Sequence, residues 1–306
     1  SNEGTITAKF GKIFMGAGEQ ITLDLSGTGL MKIIVPTTEL SKITDIQGKT
    51  LDSLVSNNGS LEADGGYIQL SAKTAENLMF GAVNIGSSGT ISSATIDKKT
   101  GNVTIGGEDN GFVTVGGKID VSSSNPTTPS GKLNITGTNL YFGGETNASG
   151  STGGSISAKA KEMLILDSSI VAKGLKDNGG DMLIVSEDVL LSTAQANVDM
   201  SGSANGGHIK LHADNYNIVS GSFRADGDSG EGGKIDYAGK NVSLTKADIS
   251  AKGSSQGGKV RVGGEYLGGK KLSLAGKKEY YGFVNRFDNK DTIINAQKTI
   301  VDHDVS

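Results

Sequence analysis

Residues 153–174 read GGSISAKAKEMLILDSSIVAKG, residues 179–202 GGDMLIVSEDVLLSTAQANVDMSG, residues 206–227 GGHIKLHADNYNIVSGSFRADG and residues 232–253 GGKIDYAGKNVSLTKADISAKG. Each block opens on a Gly-Gly pair and a fifth pair begins at Gly257, so the pairs recur at intervals of 26, 27, 26 and 25 residues. Three places after the first glycine stand Ile156, Met182, Ile209, Ile235 and Val260, and five places after it Ala158, Ile184, Leu211, Tyr237 and Val262. A second apolar pair follows ten and twelve places on: Met163 with Ile165, Val189 with Leu191, Tyr216 with Ile218, Val242 with Leu244. A third joins Ile170 to Ala172, Phe223 to Ala225 and Ile249 to Ala251, and comes two places late at Val198 and Met200, as a short insertion would cause.

A spacing of two is the period of a strand with one buried face. Three such pairs per repeat predict three short strands per coil, with Gly, Asn, Asp and Ser at the corners where the chain turns sharply. Successive coils then stack about 4.8 Å apart as parallel sheets, and each coil buries its neighbours' apolar residues. The predicted fold is an all-β, right-handed, single-stranded parallel β-helix with coils of about 26 residues. The i, i+2 spacing and the glycine pairs exclude helices, and a β-propeller would need a period near 40 residues. Upstream, Ile6, Ile13, Ile21, Val113, Val115, Ile119, Val121, Leu133 and Ile135 continue the alternation. The expectation is one continuous β-helix over residues 1–306, with excursions at 36–58, 122–130 and 276–291.

The totals narrow the function. With 29 Lys and Arg against 33 Asp and Glu the formal charge is 29 − 33 = −4, which disfavours nucleic acid and anionic membranes. No cysteine is present, so no disulfide or thiolate chemistry is available. No apolar run approaches the ~20 residues of a membrane-spanning helix.

Motifs that could carry chemistry are weak. His208 and His212 would lie about 13 Å apart on a strand, too far to share a metal, and both are expected to point outward with His303 a third surface residue. The turn holding Asp226, Asp228 and Glu231 lacks the spacing of a calcium loop. The stretch GSSQGGKV has Val260 where a phosphate loop needs Ser or Thr. In the outward columns Ser157, Leu183, Lys210, Asp236, Arg261 and Val171, Asp199, Arg224, Ser250, acids stand beside bases, as in surface ion pairs. No cofactor, metal or catalytic residues are expected. The ligand-facing candidates are the aromatic and basic residues of the last excursion, Lys277, Lys278, Tyr280, Tyr281, Phe283, Arg286 and Phe287, because rings and arginine dominate binding hot spots; the alternative is that these rings fold back and cap the end of the core.

The segments GKIFMGAGEQITLDLSGTGLMKIIV (11–35), NNGSLEADGGYIQLSAKTAENL (57–78) and DNGFVTVGGKIDVSS (109–123) resemble successive parts of filamentous-haemagglutinin-like exoproteins. GSSQGGKVRVGGEYLGG (253–269) followed by DTIINAQ (291–297) is the most specific match, with 276–291 inserted between its halves. The resemblance implies a passenger stalk of a two-partner secretion adhesin. Such a protein is secreted through the periplasm and an outer-membrane transporter, whose recognition segment would precede this chain. It ends at the cell surface and attaches to host-cell receptors, matrix, glycans or other bacteria. On this reading the chain is a monomeric, non-enzymatic fibre segment that neither enters a membrane nor binds nucleic acid. A stalk for a contact-dependent growth-inhibition toxin and a β-helical polysaccharide-degrading enzyme are the alternatives.

Overall fold

The computed structural model describes residues 1–18, 20–23, 31–35, 53–72, 81–106, 111–125, 127–263, 272–274, 278–280, 293–296 and 298–301. These residues form a parallel β-solenoid with three strands per coil and no helix. In the first sheet Ile13, Ile68, Val103, Leu133, Ile156, Met182, Ile209, Ile235 and Val260 stand in one continuous register. All nine are buried. The third sheet repeats this with Leu61, Ile91, Ile119, Thr146, Ile170, Val198, Phe223 and Ile249. The expected first and third pairs of each coil are therefore the inward residues.

Close backbone stacking explains the glycine pairs. The amide of the second glycine crosses its corner to a carbonyl ending the third strand of the block before it: Gly180 to Ala172, Gly207 to Met200, Gly233 to Ala225, at 2.7–2.8 Å. Its carbonyl then accepts from the next coil, Gly180 from His208 and Gly207 from Lys234, both at 2.9 Å. A Cβ placed on Gly179 would lie 1.8 Å from the Met200 carbonyl oxygen. Any side chain at this corner must push two coils apart.

The second sheet departs from expectation by one residue. Its inward column is Val55, Val83, Val113, Leu140, Leu164, Leu190, Asn217 and Val242. Only Val242 and Leu244 of the expected second pairs face the core. Met163, Ile165, Val189, Leu191, Tyr216 and Ile218 face outward, and Met163, Tyr216 and Ile218 are 38, 52 and 38% exposed. The cause lies in the preceding corner. Two residues, Asp214 and Asn215, separate the paired positions Ala213 and Tyr216, whereas Lys240 alone separates their partners Gly239 and Asn241. Counting from the glycine pair thus gives the right phase in the shorter corner and the wrong phase in the longer ones. A one-residue slip turns every side chain to the other face.

The slip places an asparagine in the core. Asn217 is fully buried and its Nδ2 donates to the carbonyls of Leu211 at 2.8 Å and Ala238 at 3.0 Å. The corner carbonyls satisfy both N–H donors of the amide, whereas its buried Oδ1 accepts no hydrogen bond among the described residues. Tyr237, also buried, packs edge-on to Phe223 with ring centroids 5.6 Å apart.

The excursions differ from expectation as well. Gln20–Leu23 is not a coil strand: it pairs antiparallel with Met31–Val35, so Ile21 lies on a hairpin outside the winding. Residues 36–52 lie outside the described residues, but Ser53–Asn57, expected within that excursion, is a strand of the second sheet. In the 122–130 loop, Ser123 and Thr128 hydroxyls meet at 2.5 Å and tie the widened corner closed. Ile293–Ala296 rejoins the third sheet against Asp248–Ala251, and Lys298–Val301 the first against Lys259–Val262.

Candidate functional site

The strands Thr90–Ser92, Lys118–Asp120, Glu145–Asn147 and Ser169–Val171 lie side by side in the third sheet. Their middle residues point into the core, so their end residues line the outer face. There they border a groove of about 580 Å³. Its outward side chains are Thr90, Ser92, Lys118, Asp120, Glu145, Asn147, Ser169 and Val171, a surface of short hydroxyls, one amide, one ammonium and two carboxylates. Lys118 Nζ meets Glu145 Oε2 at 2.9 Å with both side chains 65% exposed. Asp120 Oδ1 accepts the Ser122 amide at 2.8 Å and Asn147 Oδ1 the Ser149 amide at 3.1 Å, which fixes both side chains at the strand ends.

Chemically this face can hydrogen-bond a hydroxyl-rich ligand. Glu145 is solvated and ion-paired to Lys118. The groove was legible only in part. The outward third-strand column is regular in the sequence from Val171 onward, and irregular upstream spacing hides its continuation to Asn147, Asp120 and Ser92.

Lys277, Tyr281, Phe283, Arg286 and Phe287 lie outside the described residues. Lys278 and Tyr280 fall on the strand Lys278–Tyr280, which pairs antiparallel with Leu272–Leu274. Asp226 Oδ1 accepts from the Ser250 hydroxyl at 2.6 Å and the Lys252 amide at 2.7 Å, and Oδ2 from Arg224 at 3.4 Å. That carboxylate holds two coils together. No group of three or more potential metal-binding side chains comes together among the described residues.

Two polar features differ from the surface positions expected for them. Arg261 clasps Asp236 through both nitrogens of its fork, Nη2 to Oδ2 at 2.9 Å, with Asp236 only 6% exposed. This is a desolvated, bidentate pair rather than a solvated one.

His208 is surface-lying, with Nδ1 3.1 Å from Asp181, but His212 is buried and not outward in solvent. Its column neighbours Val185 and Ala238 are buried too, and its Nε2 lies 3.1 Å from Asp214 Oδ1 in the next corner. Burial lowers the imidazole pKa below 6.5, and Asp214 offsets only part of that. The folded chain then binds fewer protons here than the unfolded one. The contribution is complete above about pH 6.5 and is lost as pH falls through the lowered value. The thermal midpoint is expected to drop between pH 7.5 and 5.5, and the drop to be smaller in His212→Gln. Melting curves at the two pH values check this; equal drops would remove His212 as the cause.

Compared with family models, with curated proteins and with solved structures, the chain matches none.

Proposed function

We propose that the chain is a rigid fibre segment of a secreted, filamentous-haemagglutinin-like surface adhesin, non-enzymatic in itself, that supports attachment to host-cell receptors, matrix, glycans or other bacteria. The observation that carries this reading is the unbroken parallel register from Ile13 to Val260. Eight coil-to-coil steps at about 4.8 Å give a hydrogen-bonded rod about 38 Å long over this stretch. Such a ladder transmits tension along its axis and leaves the outer faces and excursions for display. The likeness of residues 11–35, 57–78, 109–123, 253–269 and 291–297 to two-partner secretion passengers supports the same reading. It adds an outer-membrane transporter as the secretion partner and the bacterial surface as the destination. Within this proposal the groove beside Lys118 and Glu145 and the residues 276–291 are the display elements.

The test is binding of the purified chain to host cells and to arrays of bacterial and host polysaccharides, with released reducing ends measured in parallel. Binding without release is the expected result, and deletion of residues 276–291 is expected to weaken it. Release of reducing ends would overturn the non-enzymatic reading, and unchanged binding after deletion would overturn the role of that excursion.

A further inference from the structure

Two side chains in the groove on the third sheet are held in place with one polar atom each unused. Asp120 and Asn147 stand side by side, in register on neighbouring strands. Asp120 Oδ1 accepts the Ser122 amide at 2.8 Å and Asn147 Oδ1 the Ser149 amide at 3.1 Å. The remaining atoms, Asp120 Oδ2 and Asn147 Nδ2, make no hydrogen bond among the described residues. The first is an acceptor and the second a donor. Strand spacing sets the two residues about 4.8 Å apart. Because backbone amides already hold both side chains, little rotamer freedom is lost when a ligand engages them.

The surroundings narrow the ligand. Lys118 and Glu145 occupy the next outward column in register and pair with each other at 2.9 Å, so their charges offset. Asp120 then leaves this part of the groove with a negative surplus, which disfavours an acidic ligand. An ammonium group would suit Asp120 but offers no acceptor to Asn147 Nδ2. A vicinal diol satisfies both atoms at once. Two hydroxyls on adjacent ring carbons lie closer together than the two strands, so hydrogen bonds from the two residues converge on them. One hydroxyl donates to Oδ2 and the other accepts from Nδ2. Val171 follows Asn147 in the same column and gives the C–H face of a sugar ring an apolar contact. The groove volume of about 580 Å³ is that of a small-ligand site.

We propose that the groove binds a ring of a neutral hexose polymer through a vicinal diol bridged between Asp120 Oδ2 and Asn147 Nδ2. This rests on the reading of the groove as a display element and names the class of ligand it displays for. The probes are fluorescently tagged tetramers of glucose, mannose and galactose, which between them present diequatorial and axial–equatorial diols. Each is titrated with the full chain by fluorescence anisotropy, beside its O-methylated counterpart and a tagged uronic-acid tetramer.

Saturable binding of at least one neutral tetramer is expected. Its O-methylated counterpart should bind about tenfold more weakly or worse, because an analogue without hydroxyls leaves the site's polar groups unpaired. Asp120→Ala and Asn147→Ala should each weaken binding roughly fivefold to tenfold. Neither side chain is buried, and unchanged melting curves confirm folding. The comparison of ligands uses the wild-type chain and so does not depend on the variants. Absence of binding by all three tetramers, equal binding of the O-methylated form, tighter binding of the uronic-acid tetramer, or full binding by both alanine variants would each overturn the proposal. Attachment of the same samples to host cells separates the two readings. Attachment without tetramer binding removes the diol site and keeps the adhesin; tetramer binding without attachment keeps the diol site and removes the adhesin.

Discussion

Replacing Gly179 by alanine is expected to lower the thermal midpoint by roughly 5 °C, while the same replacement at Gly4 leaves it unchanged. The added Cβ at Gly179 would meet the Met200 carbonyl oxygen at 1.8 Å and the Gly207 amide nitrogen at 2.8 Å. Both obstacles are backbone, fixed by the corner hydrogen bonds Gly207 to Met200 and Gly179 to Asn205. Relief therefore requires the coils to separate locally. Overpacking of this kind costs about 3 kcal/mol, which for a chain of this size is a shift of several degrees. At Gly4 nothing lies within 4 Å of the new atom, so the pair of variants separates crowding from any general effect of the extra methyl. Thermal melts followed by circular dichroism decide it. Equal midpoints for the two variants would show that the Gly-Gly corners do not need glycine for close approach.

Leu190→Asp is expected to destabilise the rod by more than about 4 kcal/mol, and its neighbour Leu191→Asp by about 1 kcal/mol or less. Leu190 is fully buried between Leu164 and Asn217, whereas Leu191 stands on the outer face between Ile165 and Ile218. An aspartate at the first position has no Lys or Arg among the described core residues to pair with, and one at the second is hydrated. Because each coil touches only its neighbours, the defect should be local and split the stack. Limited proteolysis is expected to cut Leu190→Asp near this coil and to leave Leu191→Asp resistant. The reverse ranking would restore the phase that the spacing from the glycine pairs predicts.

That contrast shows where sequence reasoning reached its limit. The first-sheet column Ile209, Ile235, Val260 was legible because charged or polar residues such as Lys210 and Asp236 alternate with it, so one face alone could be inside. In MLIL and VLLS both faces are apolar, and alternation carries no information about which is buried. The phase was set by whether one or two residues bridge the corner, a length that periodicity alone does not fix. The candidate site was less legible than the fold. Asp120, Glu145 and Asn147 come together only when coils of 35, 30 and 23 residues are laid in register, from Ile68 to Val103, Leu133 and Ile156.

The sequence by itself determined the winding. Glycine pairs every 26 residues or so, each followed by inward residues two apart, leave a stacked parallel coil as the arrangement that buries those residues and satisfies their backbone. Tertiary structure alone decided which second-sheet residues are outside, that His212 and the Asp236–Arg261 pair are out of solvent, and that Ile21 leaves the winding in a hairpin. The physical reason is common to all of these. Burial of a side chain on a half-covered strand depends on the register of coils above and below and on the length of the corner before it. Neither is a property of the strand's own residues.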